Sequence, residues 1–116
     1  MRILICGDRN WTDRERIAMF LAPLGSDTII IEGGARGADT IAKEEAELRS
    51  FQVMEFPAQW NKYGKSAGPI RNKQMLDEGK PDLVVAFHND IKNSKGTKNM
   101  IKQAKKAGIK VILVEK

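Results

Sequence analysis

Five short apolar runs constrain this chain more than any other feature: RILIC (2–6), TIIIE (28–32), FQVMEF (51–56), DLVVAF (82–87) and KVILVE (110–115). Each is continuous rather than alternating, the pattern of strands in a parallel sheet covered on both faces. Helical patterns lie between them. Thr12, with Glu15 three residues on, forms a capping box that opens the first helix, followed by Ile17, Phe20, Leu21 and Leu24 at helical spacing. Ala38, Ile41, Ala42 and Ala46 make a second stripe, with Glu44, Glu45 and Glu47 mostly outside it. Pro69 suits the first turn of a third helix carrying Ile70, Met75 and Leu76. Met100, Ile101, Ala104 and Ala107 make a fourth, closed by Gly108. Strand alternating with helix throughout predicts an α/β fold: one domain over 1–116, a doubly wound five-stranded parallel sheet with helices on both faces, in the order 3-2-1-4-5. The longest irregular piece, PAQWNKYGKSAG (57–68), reads as a lid or binding loop.

Composition narrows the function classes. With 41% hydrophobic and 30% charged residues the chain reads as soluble and globular, and no apolar run is long enough to span a membrane. The start, MRILICGDRN, has a strand pattern rather than that of a signal peptide. A lone cysteine, Cys6, excludes an internal disulfide framework and points to the cytoplasm. The net charge of +5 is uneven, with eight lysines and one acid from Lys92 onward. Such a region attracts nucleic acid or phosphorylated metabolites, or is a solvated helix face; Lys98, Lys102 and Lys105 do stand opposite the apolar stripe.

The unusual residues follow strands one to four, where open parallel sheets bind ligands. GDRNW follows the first, GGARGAD the second, PAQWNKYGKSAGPIRN the third and HNDIKNSKGT the fourth. A glycine-rich turn entering a helix either packs helix closely on strand or presents bare N–H groups to an anion. Gly33, Gly34, Arg36 and Gly37 are thus candidate phosphate ligands, and Gly96 with Thr97 repeats the device. The turn is neither GxGxxG nor GxxxxGK[ST]. Gly7, Asp8 and Arg9 are placed to read a ribose hydroxyl or phosphate, unless the last two form a surface ion pair. Arg71, one turn into a helix, would meet an anion. Trp60 and Tyr63 are candidates to stack on a base, or Trp60 to pin its loop. Asp39 favours the helix dipole by its place in the first turn. His88 reads as structural and Cys6 as buried and inert; there is no metal-ligand grouping and no Ser-His-Asp pattern.

Taken together, GDRNWTD, GGARGAD, PAQWNKYGKSAGPIRNKQM and NSKGTKNMI resemble the YspA-like branch of the SLOG superfamily, from Met1 to about Ile112. Its relatives include the Lonely Guy phosphoribohydrolases and the DNA-processing A proteins. The resemblance implies a Rossmann-like domain that binds a nucleotide or nucleotide-derived small molecule, commonly as a homodimer with composite pockets. It implies no further cofactor. Against the phosphoribohydrolases, Gly33, Gly34 and Gly37 match the glycine motif, Arg71 the motif arginine, and Gly96 and Thr97 half of a P-G-G-x-G-T-x-E motif. At the catalytic glutamate's place stands Asn99, and an amide is neither a general acid nor a base. The resemblance therefore implies a sensor or sequestering module first. An N-glycosidase-type hydrolase using Arg71 with Asp8, Asp39 or Asp90 is the second reading, and nucleic-acid binding the third.

Overall fold

The computed structural model describes residues 1–115. In order, the elements are β1 (Arg2–Gly7), α1 (Arg14–Leu21), β2 (Ile29–Glu32), α2 (Ala38–Leu48), β3 (Gln52–Glu55), α3 (Trp60–Tyr63), α4 (Ala67–Gly79), β4 (Leu83–Phe87), α5 (Gly96–Lys106) and β5 (Lys110–Val114). All neighbouring strands pair in parallel, in the order β3-β2-β1-β4-β5. The central strand β1 sets Ile3 beside Ile30 on one side and beside Leu83 on the other.

Alternation of side chains along β1 builds two cores from one strand. Ile3 and Ile5 pack with Ile17 and Leu21 of α1 and Ile41 and Ala42 of α2. Leu4 and Cys6 face the other way, onto Met75 of α4 and Met100 and Ala104 of α5. Ile3, Leu4 and Ile5 are fully buried, each worth about 1.5–3 kcal/mol relative to exposure. The continuous apolar run thus reflects helices on both faces. Burial is shallower on the outer strands: β3 and β5 have one neighbour each, and Leu113 of β5 is exposed.

Three local expectations are corrected. The cap of α1 is Asp13, not Thr12: the Asp13 carboxylate accepts from Arg16 N at 3.2 Å. The register is fixed from outside the helix, because Trp11 is buried edge-on against Phe87 and donates its indole N–H to the Asp13 carbonyl at 2.9 Å. The stretch 57–68 is not wholly irregular, since it contains α3 and a 3-10 turn at Gly64–Ser66 before α4 begins. Finally, Ile70 is exposed on α4, whose buried face carries Asn72 and Met75.

Candidate functional site

The carboxyl ends of β1, β2 and β4 and the start of α5 converge, and the glycine turn after β2 is the hinge of that arrangement. Gly37 has φ 77°, and a Cβ on it would lie 2.4 Å from the Asp8 carbonyl oxygen. Only glycine allows the turn after β2 to lie against the turn after β1, where Ala38 N donates to Asp8 O at 3.1 Å. Gly33 does the same for a side chain: a Cβ there would meet the Arg71 guanidinium at 2.3 Å. Arg71 lies over that glycine and donates from Nη1 to its carbonyl.

The turn's N–H groups are largely engaged by the chain's own acids. Gly33 N and Ala35 N donate to Asp39 Oδ2 at 3.1 and 3.3 Å, and Gly34 N donates to Glu32 Oε1 at 2.7 Å. Asp39, noticed in the sequence for the helix dipole, is therefore also the clasp of the turn. Its burial pushes the carboxyl up to about 6, opposed by the Ala35 amide, Arg71 and the Gly33 amide.

Below this turn lies a cavity of about 410 Å³. Of the sequence candidates, Gly7, Asp8, Arg9, Asp39, Arg71, Gly96 and Thr97 all border it. An adjoining groove of about 550 Å³ takes in Gly33, Gly34, Arg36 and Trp60 and shares Arg9, Ala35 and Arg71 with the cavity. Arg71 thus forms a wall common to both. The structure separates the remaining candidates. Gly37 borders a third depression, on the α1 side, with Arg36. Tyr63 lies in a hollow along α4, with Lys62 Nζ 5.1 Å from its ring centroid, apart from Trp60. Asp90 does not border the cavity; both its carboxylate oxygens accept from Asn93.

Around the cavity stand further residues for which the sequence suggested no ligand role. His88 is buried at the cavity edge, and its Nδ1 accepts from Asp90 N at 2.9 Å, which leaves the neutral ring's hydrogen on Nε2. Burial, reinforced by the nearby Asp39 charge, raises the Cys6 thiol far above its ordinary range, so it stays protonated and unreactive. Asn72, 3% exposed, fixes Arg71: its Oδ1 accepts from Arg71 Nε at 3.0 Å, and its Nδ2 donates to Gly96 O and Asn99 Oδ1, both at 3.1 Å. Asn99 Oδ1 also accepts from Gln103 Nε2 at 2.7 Å. Asn99 is a link in an amide chain between α4 and α5 and does not border the cavity. A polar residue directly after the arginine, on a face expected to be apolar, was the signal for Asn72. The signal for Glu32 was a charged residue ending an isoleucine run.

Among the described residues no group of three or more His, Cys, Asp or Glu is placed to hold a metal ion, and no helix is long and apolar enough to cross a membrane. A family model described as the YspA, cpYpsA-related SLOG family matches residues 1–63. The Gene 61 protein of Mycobacterium phage D29 is similar along almost the whole chain. It is 38% identical over 122 residues, which cover 96% of this chain and 94% of that protein. The matched half holds β1 to β3 and the glycine turn, and the phage relative carries the likeness over 96% of the chain, so the chain belongs to the YspA, cpYpsA-related SLOG family.

Proposed function

We propose that the chain is a binding module for a phosphorylated, nucleotide-derived small molecule held in the cavity at the carboxyl edge of the sheet. The observation that carries this is the convergence on one cavity of Arg9, Arg71 and the start of α5. The first turn of α5 leaves the Gly96 and Thr97 amides without intrahelical acceptors, at the positive end of an 11-residue helix. Lys95 stands beside them. Phosphate belongs at this end rather than on the glycine turn, whose Gly33, Gly34 and Ala35 amides already have acceptors. The base extends past Arg71 into the groove, where Trp60 offers an exposed indole face.

A hydrolase is the second reading, favoured by one observation: Asp39, buried with its carboxyl near 6, shares the cavity with Arg71. Against it, the amide at Asn99 is committed to Asn72 and Gln103. One experiment separates the readings. The purified chain is incubated with nucleoside monophosphates, NAD, ADP-ribose and cyclic nucleotides, and bound and free fractions are analysed by mass spectrometry. A compound recovered intact from the protein, and lost from the Arg71→Ala variant, supports the binding module. Time-dependent release of free base or sugar phosphate supports the hydrolase. Retention of none of them overturns the proposal.

A further inference from the structure

The cavity holds a carboxylate whose outer oxygen the fold leaves unused. Asp39 is 6% exposed and borders the cavity. Its Oδ2 takes the Gly33 and Ala35 amides, whereas Oδ1 receives no hydrogen bond from the described residues. Oδ1 is open to the cavity, so a ligand that displaces the solvent there must supply the donor in its place. The amides of Gly96 and Thr97 and the Lys95 ammonium offer an anion site in the same cavity. A phosphate does not settle beside Asp39, because like charges in a poorly solvated site repel strongly. The two features therefore give the ligand a direction: anionic group towards α5, neutral hydrogen-bond donors towards Asp39.

Building on the nucleotide-binding reading, we infer that Asp39 reads the sugar: its Oδ1 accepts from the 2-hydroxyl of a ribose phosphate, so that the cavity selects ribose over 2-deoxyribose. A sugar hydroxyl fits this position better than the amino group of a base. The flat aromatic face that a base needs is Trp60, in the groove beyond Arg71, and the sugar is the part left for the cavity. Asp8 is the other acid at the cavity, but it is only half-buried, so its unengaged oxygen keeps its water more readily than that of the 6% exposed Asp39. Glu32 and Glu55 do not border the cavity.

The test is isothermal titration of the full chain with ribose 5-phosphate and with 2-deoxyribose 5-phosphate. Loss of one hydrogen bond to a buried carboxylate weakens binding about tenfold or more, so ribose 5-phosphate is expected to bind at least that much tighter. In Asp39→Ala, which removes the acceptor altogether, the preference is expected to fall to within about twofold. Asp39 also clasps the glycine turn, so the wild-type preference decides the matter if that variant does not fold. Equal affinity of the wild type for the two sugars overturns the inference while leaving phosphate binding in place. A tenfold preference that persists in folded Asp39→Ala overturns the assignment to this residue. Binding of neither sugar phosphate at millimolar concentration overturns the inference, whereas the function on which it rests is overturned only if the nucleotides are not retained either.

Discussion

Replacing Glu32 by glutamine tests whether a proton is part of the fold. Glu32 is fully buried at the end of β2, in register with Glu55 of β3. Its Oε1 holds the Gly34 amide, and its Oε2 is buried with no hydrogen-bond partner among the described residues. Burial raises the Glu32 carboxyl from 4.5 to about 8, and the neighbouring Glu55 carboxyl adds to the shift. The protonated Glu32 beside it, with Lys43 at 3.4 Å, holds Glu55 below its ordinary range. Because the folded state keeps the proton that the unfolded chain loses, stability falls as pH rises from about 4.5 to about 8. At pH 7 the gap from 4.5 corresponds to about 3 kcal/mol, which relaxation around the ionised form reduces. Glutamine supplies the same acceptor to Gly34 and a permanent N–H donor to Glu55. The Glu32→Gln variant is expected to exceed wild type by about 1–3 kcal/mol at neutral pH and to match it near pH 4.5. Urea unfolding followed by tryptophan fluorescence reads this as a midpoint about 1–2 M higher at neutral pH. Parallel pH profiles for the two proteins, or a variant less stable at pH 8, would refute the protonated pair.

Three further outcomes follow from the same geometry. Gly37→Ala places a Cβ against the Asp8 carbonyl and forces φ 77° on alanine, so thermal unfolding is expected to drop by more than about 10 °C, whereas Gly96→Ala, with open space at its Cβ, shifts it little. Asp13→Ala removes the α1 cap and is expected to lower stability by about 1 kcal/mol in chemical denaturation, while Thr12→Ala has a smaller effect. Arg71→Lys retains the charge but loses the fork that joins Gly33 to Asn72; with folding unchanged by circular dichroism, affinity for phosphorylated nucleotides is expected to fall about tenfold or more.

Much of the architecture was legible because burial on two faces writes itself into the residue types. The run Ile29–Ile31 has no alternation because its neighbours serve opposite cores, Ile30 with the α1–α2 side and Ile31 with the α4–α5 side. Legibility failed where long-range contacts override local chemistry. Thr12 and Asp13 are both good caps, and the choice between them belongs to Trp11, anchored on Phe87 far along the chain. The candidate site was readable as a set of residues at one sheet edge. Its internal division was not, because spacing says nothing of which acid reaches which amide. Asp39 and Glu32 flank the glycine turn on opposite sides in sequence and take different N–H groups. Likewise the pairing of Glu32 with Glu55 depends on the register of β2 against β3, a property of neither segment alone.

The amide chain Arg71–Asn72–Asn99–Gln103 also bears on what position 99 can serve in this fold. A carboxylate introduced at position 99 would inherit the two amide donors that now meet Asn99 Oδ1, and would remain outside the cavity wall. A carboxylate there would therefore serve the seam between the helices and not the cavity. It would meet the cavity only if the α4–α5 seam moved, so position 99 belongs to the packing of the two helices rather than to the cavity wall.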